Sequence, residues 1–103
     1  MEFEELPAFT RQVLALLDDA EYAQLQESLA ARPDAGKLLP HSGGLRKLRW
    51  AAGGRGQRGG LRVIYYWWVG DRLISLLAVY AKNRKADLTV AEIRQLREII
   101  EGE

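Results

Sequence analysis

The sequence predicts an α+β fold: a small antiparallel sheet of three to four strands, with an N-terminal helical hairpin and a C-terminal helix. Three observations carry that prediction. Residues 7–32 place apolar side chains at helical spacing, residues 45–81 hold three runs rich in β-branched and aromatic residues, and a capping-box pattern opens an amphipathic run near the C-terminus. No internal repeat or linker divides the 103 residues, so one domain over 1–103 is expected, large enough for a modest core without metal or disulfide help.

Met1 to Leu6 sets Phe3 between glutamates, the pattern of a first edge strand or of a frayed lead-in. From Pro7, a favoured first-turn residue, Phe9, Val13, Leu16 and Leu17 form one helical face. Asp18 and Asp19 can cap a second helix, in which Tyr22, Leu25 and Leu29 keep the spacing until Arg32-Pro33 stops it. The tract from Pro33 through Gly36 to Pro40-His41-Ser42-Gly43-Gly44 reads as a long, turn-rich connection. Strands are then expected at Leu45–Ala51, Leu61–Val69 and Arg72–Ala81, the last two joined by a tight turn at Gly70-Asp71. The middle strand is apolar on both sides, as a central strand covered on both faces should be. Thr89-x-x-Glu92 caps a final helix whose apolar positions are Ile93, Leu96 and Ile100.

Net charge is only +1, but it is unevenly spread. Residues 1–34 carry two basic and eight acidic side chains, residues 35–85 eleven and one, and residues 86–103 two and five. A basic centre between acidic ends points to a polyanion-binding surface on the middle segment. With no cysteine, disulfide frameworks, thiolate metal sites and cysteine nucleophiles are excluded, and a reducing cytoplasm fits. The acidic opening MEFEELPAF lacks the order of a secretion signal and no apolar run reaches spanning length, so a soluble, cytoplasmic protein without a membrane partner is expected.

The basic centre is Leu45–Val69, two apolar-basic strands joined by a glycine- and arginine-rich loop containing Arg55 and Arg58. Gly54 to Gly59 formally spell GxGxxG, but a strand follows where a dinucleotide fingerprint needs a helix start, so that reading is rejected. The loop is read as a phosphate contact or as a merely soluble hairpin end. Alternation along the first strand puts Lys47 and Arg49 on one face and Leu48 and Trp50 on the other. Singly, Lys47, Arg49, Arg62, Lys82, Arg84 and Lys85 read as solvated charges; as a set around a small sheet they suggest a phosphate-binding concavity. Tyr66, Trp68 and Tyr80 are candidates for stacking on an unpaired base, whereas Tyr65 and Trp67 read as core. His41 is a lone loop histidine and Asp71 a lone turn carboxylate, so neither metal-dependent hydrolysis nor paired-carboxylate chemistry gains support, and no metal or cofactor is expected.

Three ordered blocks carry a family resemblance: Gly44-Leu45-Arg46-Lys47-Leu48-Arg49-Trp50; Arg55-Gly56-x-x-Gly59-Gly60-x-Arg62-Val63-Ile64-Tyr65-Tyr66; and Val79-Tyr80-x-Lys82-Asn83-x-Lys85-x-Asp87-Leu88-Thr89. Together they resemble the RelE/ParE superfamily of toxins, most of all its HigB-like branch. The resemblance implies a RelE-like fold and the toxin of a type II toxin–antitoxin system, a metal-independent, ribosome-dependent mRNA endoribonuclease that inhibits translation. In such enzymes the ribose 2′-hydroxyl attacks the adjacent phosphate. By position, Lys47 and Arg49 match the family's basic strand residues, Arg62 matches the arginine that opens the next strand, and Lys82 lies near the basic position after the last, the four implied catalytic cations. Arg62 would stabilise charge developing on the phosphate, while Lys47 or Arg49 would assist proton removal or orient the 2′-hydroxyl. Arg46, Arg55, Arg58, Tyr66, Trp68, Arg84 and Lys85 would contact RNA or the ribosome. The tyrosine that some relatives carry at or just before the last helix is missing between Lys85 and Glu92. The implied partners are the ribosome with its mRNA and a cognate antitoxin, HigA-like or another small DNA-binding protein. A ParE-like gyrase inhibitor and a non-catalytic nucleic-acid-binding module are the competing readings.

Overall fold

A computed structural model describes residues 1–51, 60–85 and 87–102. The element order is β1 (Glu2–Glu5), α1 (Pro7–Leu16), α2 (Asp19–Ala31), β2 (Lys37–Leu38), β3 (Arg46–Trp50), β4 (Leu61–Trp68), β5 (Leu73–Ala81) and α3 (Val90–Glu101). Local chemistry accounts for the helix starts. Pro7 occupies the first turn of α1, and both Asp18 and Thr89 make complete capping boxes, with Glu21 and Glu92 respectively. Helix α2 stops at the Arg32 cap before Pro33, which cannot continue it. Between β4 and β5 the chain turns through a 3-10 segment, Val69–Asp71, and Arg72 takes the left-handed conformation.

The strands lie in the order β1-β5-β4-β3-β2, and β3, β4 and β5 form the expected antiparallel meander. Two features differ from the sequence reading. The sheet has five strands, because the turn-rich tract contributes Lys37–Leu38, a pair of exposed residues too short to leave a periodic pattern. It is also mixed: β1 pairs in parallel with β5, and the two helices that follow β1 carry the chain away from that edge.

Each face of the sheet has its own apolar cluster. On one, Phe9, Val13 and Leu17, with Leu25 and Leu29 from α2, pack on Leu61, Val63, Tyr65, Ile74, Leu76 and Val79. On the other, Ile93, Leu96 and Ile100 of α3 join a cluster containing Leu45, Ile64, Leu77 and Tyr80. β4 is thus the covered central strand, buried without interruption from Leu61 to Tyr65. The Tyr65 hydroxyl donates to the Pro33 carbonyl at 2.7 Å and accepts the Gly36 N–H at 2.8 Å, fastening the turn after α2 to the core. Gly36 sits so close that a Cβ there would lie 2.7 Å from the Tyr65 ring.

A register shift between Ile64 and Tyr65 governs the end of β5. Tyr65 pairs with Leu76 and Ile64 with Ala78, so Leu77 is an extra residue in β5. Both Leu77 and Ala78 join the cluster under α3. The bulge reverses the alternation, and everything after it exchanges faces. Val79 therefore points to the helical hairpin and Tyr80 to the α3 side. Helix α1 secures this stretch from the side, since the Gln12 side-chain oxygen accepts the Val79 N–H at 3.0 Å.

Candidate functional site

The pairing register brings the basic residues together. Arg49 on β3 lies directly opposite Arg62 on β4, and Arg62 directly opposite Tyr80 on β5. Arg49, Arg62 and Tyr80 form a row across three strands on the α3 side, and Lys47, paired with Ile64, starts the next row. Directly opposed side chains have Cβ atoms about 5 Å apart, and like charges in that relation repel. Two arginines in register therefore concentrate positive charge at one place on the sheet. Arg62 is only 3% exposed, whereas Arg49 is on the surface. The Arg62 guanidinium donates to the Leu61 carbonyl at 3.3 Å and acts electrostatically on both Tyr80 and Asp87.

Lys47 is partly covered and forms an ion pair with Asp87 at 3.2 Å. Since Asp87 follows β5 and Lys47 lies on β3, this pair reaches across the central strand. The hydrogen bond from Lys47 holds the Asp87 carboxyl below its ordinary value of 3.8. A depressed carboxylate contributes stability above the unfolded value and loses it as pH falls through the folded one. The Asp87 carboxyl is accordingly expected to titrate below 3.8, and to move back toward it in Lys47→Met; NMR of the side-chain carboxyl reads this directly. Asp87→Asn should leave Lys47 to other anions and tighten binding of inorganic sulfate by up to about fivefold, the size of an exposed ion pair.

Tyr80 is 9% exposed, and its hydroxyl is buried with no hydrogen-bond partner among the described residues. Burial, and then the nearby Asp87, push its pKa above the ordinary value, so it remains a protonated donor. An unmet buried hydroxyl costs about 1–3 kcal/mol, which is an uncommon expense inside a native protein.

The other candidates lie elsewhere. Arg46 faces away from the row: its guanidinium donates to the carbonyls of Gly36 at 2.8 Å and Asp34 at 3.2 Å, holding the turn before β2. Lys82 and Arg84 are exposed in the turn after β5. Lys85 pairs with Glu92 at 2.9 Å, and the Glu92 carboxyl is lowered by the Thr89 N–H and by Lys85. Tyr66 and Trp68 share the α3 side but pack edge-on against each other at 4.8 Å, with the Trp68 indole donating to Ser75. At the rise of a strand they sit about 13 and 20 Å along β4 from Arg62. Arg55 and Arg58, with the glycine motif around them, lie outside the described residues. Lys37, absent from the sequence reading, pairs with Lys47 across β2 and β3, and a groove of about 360 Å³ there is lined by Lys37, Lys47 and Arg49 with Ala35 and Leu48. Its signal was hidden because a two-residue strand has no period.

No protein-family model matches the sequence. Among solved structures, the chain is similar to a mutant of the Escherichia coli toxin RelE in the free state, with TM-score 0.61 and 13% identity over 91% of this chain and 94% of that one. The fold is RelE-like. The RelE-like chain here also resembles one from the intact E. coli RelBE toxin–antitoxin complex, with TM-score 0.55 and 14% identity over 78% of this chain and 94% of that chain. On this RelE-like frame the basic row occupies the start of β4 and the end of β5, where the sheet meets the link to α3.

Proposed function

We propose that this protein is the toxin of a type II toxin–antitoxin pair, a ribosome-dependent mRNA endoribonuclease of HigB-like type acting in the cytoplasm. The observation that carries the reading is the in-register Arg49–Arg62 pair with Lys47 beside it, a polyanion site on a RelE-like fold. In the reaction the 2′-oxygen bonds to phosphorus, the bond to the 5′-oxygen breaks, one proton leaves the 2′-hydroxyl and one reaches the 5′-oxygen. Arg62 stabilises charge gathering on the phosphate. Lys47 or Arg49 orients the 2′-hydroxyl or assists its deprotonation, although arginine is a poor base because it stays charged. Lys82 adds positive charge from the turn after β5. Among the described residues no histidine or unpaired carboxylate stands in the row, so positioning and charge dominate, with the ribosome fixing the substrate.

The likeness to the chain from a toxin–antitoxin complex supports a cognate antitoxin as partner, HigA-like or another small DNA-binding protein. Purified protein added to ribosomes programmed with a defined mRNA should cut that message and leave the same RNA intact when ribosomes are omitted. Efficient cutting of free RNA, or an intact message on ribosomes, overturns the reading. Inhibition of gyrase with the message intact replaces it by a ParE-like function.

A further inference from the structure

We propose that Tyr80 is a further catalytic residue of this site, its hydroxyl donating a hydrogen bond to a non-bridging oxygen of the phosphate held by Arg62. The inference rests on the proposed nuclease reading for its reaction, but its anion-binding part stands on geometry alone.

Three observations converge on the hydroxyl. It belongs to a nine-tenths-buried side chain and has no partner among the described residues, although native proteins satisfy nearly all such groups. Register places it directly opposite Arg62, in the same row as Arg49. The Leu77 bulge turns it toward this side; without that extra residue the strand's alternation would direct Tyr80 into the helical hairpin. A donor kept unmet beside the Arg62 guanidinium is arranged for an acceptor that carries negative charge, and a phosphate oxygen supplies one.

The anion now at this place is the protein's own. Asp87 pairs with Lys47 and acts on both Arg62 and Tyr80, so its carboxylate lies within the field of the whole cluster. A phosphate entering the site replaces that carboxylate as counter-ion. Tyr80 then gains the acceptor that Asp87 does not give it. The hydroxyl stays protonated, and no bond to Tyr80 forms or breaks.

The test uses Tyr80→Phe, which removes one oxygen and keeps the ring. Ribosome-dependent cleavage should fall about 10²-fold, the lower end for loss of one donor because this donor is neutral, while Tm does not fall. In parallel, wild-type protein with isotopically labelled tyrosine is titrated with inorganic sulfate. The Tyr80 Cζ resonance should shift and saturate together with the Arg62 side-chain signals. Wild-type cleavage by Tyr80→Phe, or a Tyr80 resonance indifferent to sulfate, overturns the proposal even if the nuclease reading holds. If the wild type leaves ribosome-bound mRNA intact yet Tyr80 responds to sulfate, the nuclease reading fails and the anion contact stands. The sulfate arm needs no variant, so a misfolded Tyr80→Phe would not protect the proposal.

Discussion

Arg62→Met is expected to reduce ribosome-dependent mRNA cleavage by about 10³-fold, the upper end for loss of an electrostatic donor, because charge and both guanidinium edges leave together. Methionine is unbranched and of similar reach, so the nearly sealed space at the start of β4 remains filled. Arg62→Lys is expected to recover only part of the loss. It restores a point charge without the planar fork that holds two phosphate oxygens at once. Primer extension on ribosome-bound message measures both variants, with circular dichroism confirming the fold. Full cleavage by Arg62→Met, accompanied by weaker salt-sensitive RNA binding, would mean that the basic face binds nucleic acid without acting on it.

Phe9→Ala is expected to lower stability by about 3–5 kcal/mol, since the ring is fully buried between α1 and the sheet and its loss leaves a cavity. For a chain of this size that corresponds to a fall in Tm of about 15–25 °C, measured by thermal unfolding. The consequence extends to the site. Helix α1 holds the edge of β5 through Gln12 and Val79, one residue before Tyr80, so loosening α1 loosens the strand that presents the hydroxyl. A Tm change of only a few degrees would show that α1 adds little to the core.

Much of this was legible from local patterns. The Asp18-x-x-Glu21 and Thr89-x-x-Glu92 spacings announce helix starts because the side chains that satisfy the first free N–H groups lie within four residues of them. Pro33 announces the end of α2 for an equally local reason. The double-sided apolar run in β4 announces a strand covered on both faces, and the alternation Lys47, Arg49 against Leu48, Trp50 separates cations from core along β3. The family resemblance pointed to Lys47, Arg49, Arg62 and Lys82; the fold brings the first three within adjacent rows and leaves Lys82 exposed in the turn after β5.

What stayed hidden depends on contacts between distant residues. Arg46 looks like its neighbours Lys47 and Arg49, yet parity places it on the other face, where the carbonyls of Asp34 and Gly36 take its guanidinium. Tyr66 and Trp68 look like stacking residues near the cations, but strand length sets them far along β4, against each other. The pairing of β1 with β5 and the two-residue β2 follow from which edges remain open once the meander has formed.

The sequence by itself determined where the three helices and the three strands of the meander lie, the apolar faces, and the concentration of positive charge in the middle of the chain, because each is set by spacing among near neighbours. Only the tertiary structure decided which of those charges meet. The register of β3 on β4 opposes Arg49 to Arg62, the Leu77 bulge turns Tyr80 toward them, and the link after β5 carries Asp87 to Lys47. The physical reason is parity. One extra residue in a strand exchanges the faces of all that follow, and whether it is accommodated is settled by the partner strand and the helices packed on either side.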